Sequence, residues 1–277
     1  MNLMEFLKGL KAPLYFTSVS PVLIGWAFSS FKTTYLLALL LLVTTSMQAG
    51  MNLAMDFFDH KNGRPLRNED TFFPIGSLFI EKLHVRPESI RISFISMMMI
   101  AVASGLTVVF ITRNVLLLYL GLLAVLLSLL YVLPPVKLGA RGVGEIATFF
   151  AFGPFTVIGT VIALGGSVSL EVIFVSMSLG LLASSIRYLH HLPEDNPGGI
   201  RVRYFRLFYP IMVLGATIMT SIFRSTEIPA IAVFIGGLIH IAFLPKGALP
   251  ISRRTNQSVL IHFSFTVLIL LFFAVPF

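Results

Sequence analysis

Cysteine is absent from the 277 residues, which excludes disulfides, thiolate metal sites and thiol nucleophiles without fixing a redox compartment. Charge is scarce as well: Asp, Glu, Lys and Arg make up 12% of the chain, against 56% hydrophobic residues and a mean hydropathy of +0.92. A soluble domain of this size needs far more polar surface, so the composition points to a polytopic all-α membrane protein with a single membrane domain over 1–277. Acids are the scarcer charge, 12 against 20 Lys and Arg, for a net charge of +8. The opening MNLMEFLKGLKAP lacks a sustained apolar core and a small-residue cleavage site, which argues against a signal peptide. Leu3, Phe6, Leu7 and Leu10 instead suggest a short amphipathic helix over 1–11, lying in the membrane interface.

Long apolar runs are what the chain has in quantity. A hydrocarbon core of about 30 Å needs roughly 20 helical residues. Nine stretches approach that length: 13–30, 35–55, 92–111, 115–133, 143–164, 170–189, 208–223, 228–244 and 259–275. With nine crossings, one side holds the N-terminus and the loops after the second, fourth, sixth and eighth. That side collects all of the 20 Lys and Arg except Lys32, Arg113 and Arg224. The positive-inside rule therefore places the N-terminus in the cytoplasm and the C-terminus outside. The excess of cations is one-sided, and no nucleic acid is needed to account for it. Of the acids, only Glu171 and Glu227 fall on the outer side.

The stretch QAGMNLAMDFFDHKNG stands out against this background. Asn52, Asp56 and Asp59 follow one another at spacings of four and three, which puts them on one face of a helix, and Gln48 extends that face back by one turn. Carboxylates at the end of a membrane helix are costly to desolvate and pack poorly, so this pattern asks for a cation or a ligand. A hard divalent cation with oxygen ligands fits, and the lack of cysteine and of ligand-spaced His pairs argues against zinc. Lys61 and Arg64 follow in the basic loop beyond.

Two further stretches share the inner side. In SSIRYLHHLPEDNPGG, Arg187 precedes His191 by four residues and His190 precedes Glu194 by four, before Pro193 ends the helix. The helix macrodipole accounts for Arg187 and the histidines at this C-terminus, but it should repel Glu194 and Asp195. In YVLPPVKLGARGVGE, Lys137 and Arg141 sit among prolines and glycines that favour a compact turn with exposed backbone donors, suited to an anion. Two acidic stretches and one basic stretch on one side make a metal-bridged diphosphate the economical ligand.

NLAMDFFD resembles the first Asp-rich motif of the UbiA superfamily of intramembrane prenyltransferases, and MQAGMNLAMDFFD is most similar to its 1,4-dihydroxy-2-naphthoate polyprenyltransferase branch. YVLPPVKLGARGVGE with FFAFGPFTVIGT is similar to that branch at Tyr131, Pro135, Leu138, Arg141, Gly142, Gly144 and Glu145, and SVSPVLIGWA resembles its first helix. The resemblance runs from about residue 15 to about residue 200. It departs at the second motif, where the family has two separated Asp before a Gly-Lys-Arg-Thr run. Here HHLPEDNPGGIR offers adjacent Glu194 and Asp195, with Gly199, Arg201 and Arg203 in place of the basic run.

The resemblance implies nine helices around a central cavity, with Mg2+ and a polyprenyl diphosphate under cytoplasmic loops. Asn52, Asp56 and Asp59, faced by Glu194 and Asp195, are then the expected metal ligands. Lys61, Arg64, Lys137, Arg141 and Arg201 are the expected diphosphate partners, with Arg187 orienting an acceptor carboxylate and His191 or His190 taking a ring proton. The expected reaction is Mg2+-dependent prenyl transfer to an aromatic acceptor, 1,4-dihydroxy-2-naphthoate, in menaquinone synthesis within the cell membrane. Transfer to a hydroxybenzoate, haem, chlorophyllide or glyceryl phosphate stays open, as does a transporter of anions or lipids. Against the transporter, the charges lie at helix ends on one side, whereas carriers place them near the bilayer midplane.

Overall fold

Every apolar stretch is helical where described, in a computed structural model that describes residues 3–29, 33–133, 135–140, 143–194 and 200–273. The helices are α1 (Leu3–Gly9), α2 (Tyr15–Ala27), α3 (Thr34–Lys61), α4 (Pro87–Thr112), α5 (Val115–Val132), α6 (Gly144–Phe150), α7 (Thr156–Ala163) and α8 (Leu170–His191). They continue with α9 (Ile200–Arg203), α10 (Phe205–Ser221), α11 (Glu227–Ala242), α12 (Ala248–Ser252) and α13 (Thr255–Phe273). Among the described residues there is no strand, only one antiparallel bridge between Arg67 and Ile75.

Among the described residues, seven spans are long and apolar enough to cross a membrane: Thr34–Lys61, Pro87–Thr112, Val115–Val132, Gly144–Ala163, Leu170–His191, Arg224–Ala242 and Ala248–Phe273. The other two stretches of the nine are helical but shorter, 13 residues in α2 and 17 in α10, and each carries an internal proline, Pro21 or Pro210. Several boundaries differ from the sequence reading by a few residues, and two of them bear on the site. Helix α3 runs on past Met55 to Lys61, so Asp56 and Asp59 lie within its last turns. The stretch 143–164 is divided into α6 and α7 by a wide turn at Ala151–Phe155, where Pro154 has no N–H to donate.

Helix α8 is the axis of the bundle. It is the most fully buried span and packs against α2, α6, α7, α10, α12 and α13. Its sequence explains this: Ser176, Ser178, Gly180, Ala183, Ser184 and Ser185 are small enough to let neighbouring backbones approach. The added Cβ of a residue at Gly180 would fall 2.5 Å from Phe149 O, and one at Gly153 would fall 2.8 Å from the Gly180 Cα, so the two helices touch backbone to backbone. The buried hydroxyls bond within the bundle, as Ser178 does to Ala216 O at 3.1 Å. Leu179, Leu182, Leu189, Tyr209, Val213 and Phe265 form the main core around α8.

Helices α3 and α4 pair closely on the other side, with Leu53, Phe79, Ile80 and Ile90 as a second core. The connection from α3 to α4 folds back over this end. Gly76, at φ 83, makes the turn that only glycine adopts easily, and a Cβ there would lie 2.8 Å from Pro65 O. Ser77 then accepts from Ile80 N at 3.2 Å and starts a short wide turn over Leu78–Lys82. Helix α1 lies beside it, with Phe6 edge-on to Phe79 and with Leu3 and Met4 exposed.

Candidate active site

The polar face of α3 is buried, with its two amides linked to each other and its two carboxylates each held by other groups. Gln48, Asn52, Asp56 and Asp59 are each less than one-tenth exposed. Ser18 on α2 donates to Gln48 Oε1 at 3.2 Å, and Gln48 Nε2 donates to Asn52 Oδ1 at 3.0 Å. Asn52 Nδ2 donates to Leu10 O at 2.9 Å, fixing the amide and tying the N-terminal segment across this end of the helix. Asp56 accepts from Ser77 Oγ at 2.7 Å and from Phe79 N at 3.4 Å, so its carboxylate anchors the connection that folds back. Asp59 pairs with Arg64 Nη1 at 3.3 Å.

That connection is also tied outward. Asn68 Nδ2 donates to Ser252 Oγ at 2.8 Å, and Arg67 Nη1 reaches Pro193 O at 3.4 Å. His60 pairs with Glu81, and Lys82 pairs with Glu69 at 2.8 Å, a hydrogen bond that raises the pKa of the Lys82 ammonium. The first acidic stretch is thereby joined to the end of α8, where the second begins.

A second centre forms where α5, α6, α8 and α9 meet. Arg187 donates from Nε to Tyr131 Oη at 2.6 Å, from Nη1 to Glu145 Oε1 at 2.5 Å and from Nη2 to Gly139 O at 2.6 Å. Arg201 pairs with the same Glu145 oxygen. Its guanidinium lies over the Tyr188 ring, and Tyr188 Oη donates to Arg201 O at 2.6 Å. Gly144 has no side chain because a Cβ there would press on the Arg187 guanidinium.

Between the two centres lies a cavity of about 390 Å3. Its polar end is lined by Lys11, Gln48, Asn52, Tyr131, Arg187, His190 and His191, and its walls by Met47, Met51, Met55, Leu117, Val125, Phe152 and other apolar side chains of α3, α4, α5 and α7. Helix α5 buries only Leu117 and Val132, since one face lines this space and the other lies outside the bundle.

Of the residues singled out in the sequence, Gln48, Asn52, Arg187, His190 and His191 line the cavity. Asp56, Asp59 and Arg64 stand behind its wall at the end of α3, and Lys61 is exposed there. Lys137 lies with its Nζ 5.7 Å from the centre of the Phe58 ring, which brings the basic loop to the acidic helix end. Arg201 is in the Glu145 cluster. The backbone of Glu194 belongs to the turn Leu192–Glu194, while its side chain, Arg141 and Asp195 lie outside the described residues. Among the described residues no group of three or more His, Asp or Glu is placed to hold a metal. The donors present are the Asn52 amide oxygen and two carboxylates, an all-oxygen set whose chemistry suits Mg2+.

Lys11, Ser77, Tyr131 and Glu145 were given no role by the sequence reading. Tyr131 and Glu145 fall inside a stretch that had been noted, but their partners lie 56 and 42 residues away. Lys11, at φ 54, was hidden among the many inner cations.

No family model matches the sequence, and no curated protein matches it. The fold does match solved structures. A UbiA homolog from Archaeoglobus fulgidus aligns with a TM-score of 0.61 and 12% identity, covering 98% of this chain and 100% of that one. The same homolog bound to GPP and Mg2+ gives a TM-score of 0.64 at 13% identity, over 96% and 99%. Bound to DMAPP and Mg2+, it gives 0.62 at 11%, over 98% and 100%. The chain thus has the polytopic all-helical fold of the UbiA homolog along nearly its whole length.

Proposed function

We propose that this protein is a Mg2+-dependent membrane prenyltransferase that moves a polyprenyl group from an isoprenoid diphosphate to an aromatic acceptor, 1,4-dihydroxy-2-naphthoate, in menaquinone synthesis. One observation carries the reading: a buried polar face on α3 runs from the amides of Gln48 and Asn52, which line the polar end of an apolar cavity of about 390 Å3, to the carboxylates of Asp56 and Asp59 in the last turns of the same helix. The fold match to a homolog bound to GPP or DMAPP with Mg2+ supports it. The resemblance of NLAMDFFD and YVLPPVKLGARGVGE to the dihydroxynaphthoate branch supports the choice of acceptor.

Asn52, Asp56 and Asp59 would hold the metal, with Glu194 and Asp195 as the remaining acidic donors. These residues would place a Mg2+ whose chemistry is charge neutralisation of the donor diphosphate. Lys61, Arg64, Lys137, Arg141 and Arg201 balance the rest, and Lys11 adds a cation at the cavity mouth. The C1–O bond of the donor breaks, diphosphate leaves, and the allylic cation faces Met47, Met51 and Met55 and the apolar walls, which keep water from it. A ring carbon of the acceptor attacks C1. The ring then loses either its proton, for which His191 is the acceptor at the cavity wall, or its carboxylate as CO2. Arg187 holds Tyr131 and the loop at Gly139 in place beside this reaction.

The purified protein in nanodiscs, given labelled prenyl diphosphate, Mg2+ and a panel of acceptors, should yield prenylated naphthoquinol by mass. A product only with hydroxybenzoate or glyceryl phosphate would reassign the acceptor. No product with any acceptor would remove the reading.

A further inference from the structure

Glu145 lies outside the acidic stretches and outside the cavity lining, yet it is the point where four parts of the chain join. One carboxylate oxygen takes Arg187 Nη1 at 2.5 Å and also Arg201 Nη2. Its own carbonyl accepts from Ser184 Oγ at 2.8 Å, which seats the start of α6 on α8. Arg187 extends the cluster to Tyr131 on α5 and to Gly139 in the loop, and Tyr188 closes it on the backbone of Arg201. The Glu145 side chain is 15% exposed and those of Arg187 and Arg201 are 5% and 16% exposed. A partly buried carboxylate shared by two guanidinia is costly to break, because either cation left behind loses its partner in a poorly solvated place.

Helix α9 is only four residues long and includes no buried residue. A single turn of that kind has little stability of its own. What holds it is the packing of Val202 on the main core together with the Arg201 side chain on Glu145 and the Arg201 carbonyl on Tyr188. We infer that Glu145 is a positioning residue: it fixes α9 against α8, and so sets the spacing of the two helices that flank the second acidic stretch, while holding Arg187 at the cavity wall. Its effect on donor binding rests on the prenyltransferase reading; its hold on α9 does not.

The test uses trypsin on the intact protein in nanodiscs, with the cut after Arg203 followed by mass. Arg203 is exposed but helical, so cleavage reports local opening of α9. In the parent protein this cut should be slow, and Glu145→Gln should speed it roughly tenfold or more. Arg201→Gln, acting from the more accessible partner, should give the same rise even where Glu145→Gln folds poorly, and the double variant should add little. Tyr131→Phe removes a partner of Arg187 but none of Arg201, and should leave the cut slow. Equal cleavage rates in the parent, Glu145→Gln and Arg201→Gln would overturn the inference. In prenyl transfer, Glu145→Gln should raise the donor KM about tenfold with kcat within about twofold; an equal fall in kcat with KM unchanged would contradict the positioning role. A parent without prenyl transfer would remove the proposed function and leave the cleavage result to decide on Glu145.

Discussion

At the scale of single residues, the site is made by side chains that satisfy one another, so small additions have large effects. Gly144 is the clearest case. An alanine Cβ would lie 2.7 Å from Arg187 Nε and closer still to its Cζ and Nη2, and that guanidinium is held by Tyr131, Glu145 and Gly139. Gly144→Ala should therefore cost about 1–3 kcal/mol of stability and lower the melting temperature in detergent. Gly159→Ala provides the contrast, since a Cβ there meets nothing within 4 Å. That change should be neutral or stabilise slightly, as alanine favours helix over glycine by roughly 1 kcal/mol. Equal melting temperatures for the two variants would contradict the contact at Arg187.

At the scale of helices, the bundle depends on the close crossing of α6–α7 with α8. Gly180→Val would drive a side chain into the Phe149 carbonyl, which belongs to a helix backbone and cannot rotate away. A loss of about 3 kcal/mol or more is expected, read as a lower half-inactivation temperature in nanodiscs. The helices themselves were legible from the sequence because apolar runs and a 3.6-residue period are local signals. So was the face of α3: Gln48, Asn52, Asp56 and Asp59 fall in register, and acids are rare enough for two in a membrane helix to stand out. The connection across 63–86 was not legible beyond its basic charge. Its order comes from contacts distant in sequence, Asp56 with Ser77 over 21 residues and Asn68 with Ser252 over 184. The Glu145 cluster was missed for the same reason, since a lone Glu before an apolar helix resembles any acid favoured in a first turn.

For the whole molecule, the one-sided distribution of cations fixes an expected topology. Reporter fusions after Lys61, Arg201 and Arg254 should read cytoplasmic, and a fusion at Phe277 external. A cytoplasmic reading at Phe277 would mean that the number of crossings is even, with α2 or α10, the two shortest of the apolar helices, as the place to look for the missing one. With that orientation the polar end of the cavity, with Lys11, Asn52 and Arg187, would lie on the cytoplasmic side, where the diphosphate headgroup of the proposed donor would enter while its tail lies in the bilayer. The proposed reaction requires Asp56 to act on the donor and not only to hold Ser77. The most direct measurement is prenyl transfer by Asp56→Asn beside the parent, across a Mg2+ titration, in protein shown to be folded by its melting curve. The account predicts a fall of about a hundredfold, or roughly 3 kcal/mol of transition-state stabilisation, that added Mg2+ does not restore. Turnover by folded Asp56→Asn equal to that of the parent would contradict it.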